Sequence, residues 1–251
     1  METLFIGSNC IFLTEIDSTN SYAIELLKNV NIIDGTIIHT HHQTKGRGQR
    51  GNAWVTEKAS NLTLSVVLNT HNIQANKQFY LSKCAALACY DLMAHYLNKS
   101  QYDIKIKWPN DILVNKKKIG GILIENIYKG ENLKNSVIGV GINLNQKHFE
   151  NVNNATSLAQ LGYEINLNLA LEQFCKYFEK YILLLRQNKL NVINELYFNN
   201  LYGYKALHSF KINNVIKQLK IDTVYENGKI ALLDENGLLF VFENKEIQFV
   251  F

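Results

Sequence analysis

Two hydrophobic periodicities alternate along the larger part of the chain. Apolar residues at every second position are typical of strands, and apolar residues at every third or fourth position are typical of helices. The predicted strands are 10–16, 35–41, 61–68, 102–108, a hairpin over 111–126, and 136–145. The predicted helices run from a cap at Asp17 or Ser18 to about Lys28, and over 77–98, 168–187 and 189–200. Because strands and helices are interspersed, the pattern predicts an α+β fold with helices packed on a mixed β-sheet.

The pattern changes after Gly203. Short strand-like runs follow, separated by turns rich in asparagine and glycine, at 207–213, 215–224, 228–233, 237–242 and 246–250. Closely spaced short strands with such turns are typical of a small antiparallel β-barrel. We therefore expect two domains, a larger one at 1–203 and a small all-β one at 204–251.

The stretch "GRGQRG" at 46–51 has the spacing of a dinucleotide-binding fingerprint. That fingerprint should close a strand, open a helix and be followed about 20 residues later by an acidic residue. Here a predicted strand follows the loop, and no acidic residue lies between Glu57 and Asp91. The context argues against a nicotinamide or flavin site, so we expect no tightly bound redox cofactor. What remains is a glycine-rich loop between two strands, with the basic residues Lys45, Arg47 and Arg50.

Other polar stretches are candidates for ligand contacts. In "KWPND", Lys107 ends a predicted strand and the proline stops ladder pairing just after it, so the ammonium group can face a ligand. In "EIDSTN", helix capping explains one or two of Ser18, Thr19 and Asn20, and on this stretch alone capping is the preferred interpretation. Trp54 is either a core aromatic or a stacking face for a base. The lysines at 116–118 are expected in a solvated hairpin turn.

Composition narrows the class of protein. With 47% hydrophobic and 19% charged residues, the composition fits a packed domain. The net charge is only +4, and the sequence lacks the concentrated basic face of a nucleic-acid-binding module. The four cysteines have no metal-binding or redox spacing, which indicates buried thiols in a reducing compartment. The first residues contain no secretory signal, and no apolar run is long enough for a membrane span. These features predict a cytoplasmic protein.

Six stretches of the chain form a further pattern. They are E-x-D-S-T-N-x-x-A at 15–23, Q-T-x-G-R-G-Q-R-G-N-x-W at 43–54, N-L-x-x-S at 61–65, K-W-P-N-D-I-L-V at 107–114, K-I-G-G-I-L-I-E at 118–125 and G-V-G-I-N at 139–143. Taken together, these stretches resemble the biotin–protein ligase family, also called biotin–[acetyl-CoA-carboxylase] ligases. They occur in the family's order, and the resemblance covers roughly residues 10–185. The resemblance implies a catalytic fold like that of class II aminoacyl-tRNA synthetases and biotin–lipoate ligases, with a C-terminal barrel of the Src-homology-three type.

The resemblance also implies a two-step reaction. Biotin and ATP, with Mg²⁺, first give biotinyl-5′-adenylate and pyrophosphate. The biotin then passes to a lysine of a biotin carboxyl carrier domain of acetyl-CoA carboxylase or a related carboxylase. The implied protein is a monomer or homodimer without nucleic-acid or membrane partners. Because the first strand begins near residue 10, we expect the form that lacks an N-terminal DNA-binding domain.

Site residues follow from the matched motifs. Catalysis is assigned to Lys107 and Arg47. Biotin binding is assigned to Ser18, Thr19, Asn20, Gln43, Arg47, Gly48, Gln49 and Lys107. Adenylate binding is assigned to Gly46, Arg47, Arg50, Trp54, Lys107, Asn110 and Asn143, with Asp111 as a neighbour of Mg²⁺. Many relatives have arginine at the position of Gln49, a residue associated with retaining the adenylate, so the chain departs from the family there.

Two other functions remain open from the sequence. A lipoate or octanoate ligase shares the fold class, although "KWPND" followed by "GGILIE" favours biotin. A non-catalytic biotin sensor belongs to a different class, and the presence of Lys107 and Arg47 argues against it.

Overall fold

The computed structural model describes residues 2–130, 132–149, 154–244 and 246–250, and of Arg50 the backbone alone. A seven-stranded sheet forms the larger unit, in the order β1-β2-β3-β7-β6-β5-β4. Its strands are β1 (Cys10–Ile16), β2 (Thr36–Gln43), β3 (Leu62–Asn69), β4 (Ile104–Lys107), β5 (Asp111–Val114), β6 (Lys117–Lys129) and β7 (Asn132–Ile142). The β1–β2 pair is parallel and the other pairs are antiparallel, so the predicted mixed sheet is confirmed.

Helices cover both faces of this sheet. They are α1 (Thr19–Asn29), α2 (Phe79–Tyr96), α3 (Leu167–Arg186) and α4 (Leu190–Asn199). The neighbouring residues Ile37 and Ile38 point to opposite faces of β2 and belong to different core clusters. Ile38 packs with Ala23 of α1, whereas Ile37 belongs to the main core with α2 and α3. None of the helices in the described part of the chain combines the length and apolar character that a membrane crossing requires.

The connection from β2 to β3 settles the context of the glycine-rich loop. A strand precedes the loop, a single short 3₁₀ turn at Gln49–Gly51 lies within it, and β3 follows. The dinucleotide-binding fingerprint needs a long helix at this point, because the helix N-terminus holds the pyrophosphate. The predicted strand–loop–strand unit is therefore confirmed.

The hairpin between β5 and β6 is tighter than the sequence suggested. Its turn consists of Asn115 and Lys116, which both have positive φ angles, 49° and 66°. Two central residues with positive φ are the mark of a type I′ turn, the geometry that suits a two-residue hairpin. The strand consequently starts again at Lys117, so the prediction that 116–118 form a solvated turn is wrong for Lys117 and Lys118, which both belong to β6.

A second sheet forms the C-terminal part of the chain. Its strands are β8 (Leu207–Ile212), β9 (Val215–Val224), β10 (Ile230–Leu233), β11 (Leu239–Phe242) and β12 (Ile247–Phe249). All its pairs are antiparallel, in the order β11-β10-β9-β8-β12. Closure into a barrel requires the two edge strands to pair. In the described residues β11 and β12 stay at opposite ends of the order, so the strands are as predicted but the sheet is open.

One hydrophobic core joins the two sheets. Phe210, Ile221 and Ile230 of the C-terminal sheet belong to the same buried cluster as α2 and the larger sheet. The apolar area buried at this junction stabilises the attachment of the C-terminal sheet.

A buried lysine lies at the same junction. Lys83 of α2 is only 1% exposed, and its Nζ donates to Asn194 Oδ1 at 2.8 Å and to the Val224 carbonyl at 3.4 Å. The same Nζ lies 4.9 Å from the ring centroid of Tyr80 and 5.3 Å from that of Tyr197. Burial lowers the pKa of Lys83 from its ordinary 10.5 to about 8.

We expect this lysine to give the fold a distinctive pH dependence. Its pKa is lower in the folded chain, so the unfolded chain binds the proton more tightly and stability rises as the pH increases from about 8 to 10.5. Over that window the free energy of unfolding should increase by roughly 3 kcal/mol relative to that of Lys83→Met, which has no titrating group there. Denaturant unfolding of both proteins across this range measures the difference. A difference that is independent of pH would contradict the assignment.

Candidate functional site

A cavity of about 350 Å³ lies between the larger sheet, the glycine-rich loop and the C-terminal sheet. It gathers most of the residues that the sequence motifs had marked. Those that line it are Ser18, Thr19, Asn20, Gln43, Arg47, Gly48, Gln49, Trp54, Lys107, Asn110 and Asp111. These residues come from three of the motifs, and residues of the other three, such as Thr63, Lys118 and Gly139, line the same cavity.

One end of the cavity is a buried polar network at the start of α1. Ser18 is the helix cap, and its hydroxyl accepts from the Ser21 amide at 3.4 Å. The Thr19 backbone N–H donates to Gln43 Oε1 at 2.8 Å, and the Thr19 hydroxyl oxygen lies 3.1 Å from the same atom. Capping therefore accounts for Ser18 alone. Because Thr19 occupies the Gln43 oxygen, the amide nitrogen of Gln43 is the end that can serve a ligand.

Ser65 extends this network across the sheet. Its hydroxyl lies 2.7 Å from Thr19 Oγ1 and 2.6 Å from Asn20 Oδ1, and the side chain is fully buried. Asn20 Nδ2 in turn donates to Glu125 Oε2 at 2.8 Å. The amide oxygen of Asn20 only accepts, so Ser65 donates to Asn20 and the Thr19 hydroxyl donates to Ser65. With the Thr19 N–H on Gln43, hydrogen bonds then run from Gln43 to Glu125 and orient the groups along this path.

Two glycines of β7 make room for the groups above them. A Cβ at Gly139 would collide with the side-chain amide of Asn20, and a Cβ at Gly141 would collide with the indole ring of Trp54. The two positions are two residues apart and so share one face of the strand. The two glycines of the G-V-G-I-N motif therefore provide a floor without side chains, on which the Asn20 amide and the Trp54 indole lie.

Trp54 is held above this floor with its polar atom buried. Its backbone N–H donates to the Gly46 carbonyl at 2.9 Å, which places Gly46 at the base of the loop hairpin. Its Nε1 is buried and has no hydrogen-bond partner among the described residues. A buried N–H without a partner costs free energy, so it is a natural contact for an acceptor on a ligand.

The other end of the cavity is cationic. Arg47 Nη2 donates to Glu125 at 2.8 Å and 3.0 Å. Asp111 lies between two lysines, with Oδ1 2.6 Å from Lys118 Nζ and Oδ2 3.5 Å from Lys107 Nζ. The three cations outnumber the two carboxylates, so this end of the cavity favours an anionic ligand.

Lys118 and Glu125 are site residues that the sequence reasoning missed. Lys118 lines the cavity, and its Nζ lies 5.6 Å from the ring centroid of Trp54. Both residues belong to the K-I-G-G-I-L-I-E stretch, so the motif was found without its side chains being assigned. The sequence did not show the length of the turn before β6. Side chains alternate between the two faces of a strand, so moving the start of β6 by one residue changes which lysine faces the site.

Some predicted residues are placed elsewhere. Asn143 is buried and its Nδ2 donates to the Thr156 carbonyl at 3.1 Å, and it is not among the residues that line the cavity. The side chain of Arg50 lies outside the described residues. Both assignments to the nucleotide stay predictions.

No metal cluster accompanies Asp111. In the part of the chain that the structure describes, no group of three or more His, Cys, Asp or Glu side chains could hold a metal ion. Asp111 is instead engaged by Lys107 and Lys118.

The matching family model is that of the biotin/lipoate A/B protein ligase family, and it matches residues 12–143. Among similar proteins, the bifunctional ligase/repressor BirA of Bacillus spizizenii is 32% identical over 185 residues, 72% of this chain and 55% of that protein. The biotin–[acetyl-CoA-carboxylase] ligase of Mycobacterium tuberculosis is 32% identical over 150 residues, 60% of this chain and 54% of that protein. The chain thus spans about half the length of these relatives.

The fold has a close counterpart among solved structures. The biotin protein ligase from Aquifex aeolicus in complex with biotin and ATP superposes with a TM-score of 0.76, covering 97% of this chain and 99% of that one. Its sequence identity is 23%, so this likeness establishes the fold. The family model covers more than half of the chain and includes all six motifs. The chain therefore belongs to the biotin/lipoate A/B protein ligase family.

Proposed function

We propose that the chain is an ATP-dependent biotin–protein ligase. It forms biotinyl-5′-adenylate and transfers biotin to a lysine of a biotin carboxyl carrier domain. The observation that carries the proposal is that one cavity combines a buried polar network with a cluster of three cations. Biotin has a polar ureido ring and a carboxylate, and the cavity offers partners for both.

The polar end favours biotin over lipoate or octanoate. A ureido group both donates and accepts hydrogen bonds, whereas the far ends of lipoate and octanoate do neither. The amide nitrogen of Gln43 and the network through Thr19 and Ser65 suit the ureido group. A site built to hydrogen-bond a polar substrate rejects an analogue that lacks the polar groups. The name of the Mycobacterium tuberculosis relative, a biotin–[acetyl-CoA-carboxylase] ligase, points in the same direction.

The cationic end suits the first chemical step. The biotin carboxylate oxygen attacks the α-phosphorus of ATP, and pyrophosphate leaves. Two unit charges about 4 Å apart repel by roughly 4 kcal/mol at an effective dielectric constant near 20. Arg47 and Lys107 offset this repulsion as the new P–O bond forms, and Lys118 lies in place to assist.

Arg47 has to exchange partners during this step. In the structure it is paired with Glu125, and a carboxylate or phosphate can replace that partner, because a guanidinium group binds all three oxyanions in similar geometry. Glu125 then remains bonded to Asn20. The arginine is thus kept at the site before the substrates arrive.

The nucleotide is assigned to the Trp54 side of the cavity. The indole offers a stacking face for adenine, and its unpartnered N–H offers a donor. Gly46 and Gly48 let the loop backbone approach the phosphates, with Asn110, Asn143 and Arg50 as the further predicted contacts. Mg²⁺ is expected to bind mainly through the phosphates, as this ion usually does, and Asp111 is a carboxylate that lines the cavity.

The second step transfers biotin to protein. The amine of the carrier lysine attacks the acyl carbon of the mixed anhydride, AMP leaves and the amine loses a proton. The anhydride hydrolyses readily, so a loop that covers it and excludes water favours transfer over loss. The glycine-rich loop is suited to that task.

A panel of acids tests the proposed function. We expect pyrophosphate release from ATP and Mg²⁺ to depend on biotin and to be weak with lipoate or octanoate. Release with lipoate or octanoate in place of biotin would assign the chain to the lipoate branch of the family. Biotin binding without release in any mixture would support a sensor and contradict a ligase.

Lys107→Ala should abolish adenylation while the fold is retained. Loss of a charge that stabilises the developing transition state is expected to lower kcat by roughly 10²- to 10³-fold. The matched control is Lys105→Ala, because Lys105 lies on the same strand, pairs with Asp103 at 4.0 Å and is not among the lining residues. Pyrophosphate release and the thermal midpoint measure the two effects. Near-normal release by Lys107→Ala would remove the assigned role.

Gly141→Ala should weaken ATP binding through Trp54. The added methyl group would collide with the indole and displace it from the floor of the cavity. Loss of one base-stacking contact is expected to raise the KM for ATP by roughly fivefold or more. The control is the same substitution in a Trp54→Ala background, where we expect no further change. Equal effects in both backgrounds would show that the ring is not the target.

A further inference from the structure

The C-terminal sheet is fastened to the rest of the chain next to the cavity. Trp108 Nε1 donates to the Gly228 carbonyl at 3.0 Å, directly beside Lys107 in the sequence. The Phe79 amide donates to the Glu226 carbonyl at 3.1 Å. With the shared hydrophobic core, these bonds make the sheet a fixed wall for the cavity.

The edge of that sheet contributes side chains to the site. Asn244, Ile247, Gln248 and Phe249 line the cavity. Lys107 Nζ lies 5.8 Å from the ring centroid of Phe249, within the range of a cation–π contact. The C-terminal sheet thus touches a residue assigned to catalysis.

The glycine-rich loop extends over the same cavity as a narrow hairpin. The Trp54 amide donates to the Gly46 carbonyl at 2.9 Å, and the Gly48 amide donates to the Asn52 carbonyl at 2.7 Å. Asn52 and Ala53, near the tip, are exposed. A hairpin of this kind is rigid along its length but can swing as a unit about its base.

Among the described residues, a hydrogen bond joins the hairpin tip to this wall. Asn244 Nδ2 donates to Gln49 Oε1 at 2.6 Å, across 195 positions of sequence. Asn244 lies in a turn that is itself held, because the Glu243 amide donates to Glu246 Oε2 at 2.7 Å. Lys229 of the same sheet pairs with Glu243 at 3.1 Å. Asn244 therefore lies next to a residue, Glu243, that is held by two partners.

We propose that Asn244 is a positioning residue, which holds the glycine-rich loop closed over the cavity through Gln49. This inference rests on the proposed function, because the consequence of closure is retention of the adenylate. Gln49 is uncharged, so it cannot hold the charged adenylate through an ion pair. It fixes the loop to the C-terminal sheet instead, so that the loop covers the anhydride until the carrier lysine arrives.

The experiment compares Asn244→Ala, Gln49→Ala and the double variant with wild type. The matched control is Asn236→Ala, which removes an exposed asparagine from another turn of the same sheet. The first measurement uses no ligand and follows tryptic cleavage after Arg47 and Arg50 in the native protein, with the cut sites identified by mass. The second follows the loss of labelled adenylate from the enzyme, formed from biotin and labelled ATP with no acceptor present.

Both rates should rise by roughly three- to tenfold in each single variant, the factor that one net hydrogen bond supplies. The double variant should resemble either single variant, since both remove the same bond. Asn236→Ala should resemble wild type. Two substitutions that destabilise the protein independently should have additive effects. A general loss of stability would therefore not produce a double variant that resembles each single variant.

The outcomes separate the two proposals. Unchanged loop cleavage, or additive effects in the double variant, would overturn the positioning role of Asn244. Faster cleavage with unchanged adenylate loss would overturn the link to retention. If wild type forms no adenylate, the proposed function fails, and the retention role of Asn244 fails with it. The cleavage rates would then still decide whether Asn244 holds the loop.

Discussion

Three cationic side chains have to share one cavity, and the construction of the site depends on how they are kept there. Arg47, Lys107 and Lys118 repel one another, and the repulsion is stronger in a partly buried cavity than in water. Two carboxylates reduce this repulsion. Asp111 lies between Lys107 and Lys118, and Glu125 pairs with Arg47. A ligand with a carboxylate and phosphates brings the same kind of charge. The site is therefore preorganised for a polyanion, and little rearrangement is needed when one binds.

The sheet determines where these groups can stand. β5 and β6 form the tight hairpin that places Asp111 and Lys118 side by side, and β7 lies next to them with its side-chain-free floor. On that floor Asn20 connects the start of α1 to Glu125, so the polar and cationic ends belong to one hydrogen-bonded system. Removing a middle member would disturb both ends, because buried polar networks depend on each partner being satisfied.

The sequence predicted the order of elements well and marked many of the residues that line one cavity, because both depend on local patterns. Strand periodicity after "GRGQRG" was enough to reject a dinucleotide site, and the motifs marked eleven of the residues that line the cavity. Lys118 was misjudged, since a turn of two residues and a turn of four look alike in a run of lysines. The "EIDSTN" stretch taken alone undervalued Thr19 and Asn20, because capping explains such residues until their actual partners are known.

The contribution of the C-terminal sheet was beyond local reasoning. Asn244 and Phe249 reach the cavity only because hydrophobic packing brings a segment from the end of the chain against α2 and β4, and no spacing in the sequence encodes that contact. The barrel prediction failed on a similar point. Short strands and turns specify pairs of neighbours, whereas closure depends on whether the first and last strands meet.

Transfer to a carrier domain tests the central claim most directly. The chain would be incubated with biotin, ATP, Mg²⁺ and an apo biotin carboxyl carrier domain, and the intact mass of the carrier measured. The account predicts a biotin-sized gain on a single lysine, which is lost when that lysine is replaced. An unchanged carrier, or a gain that appears only with lipoate or octanoate, would contradict it.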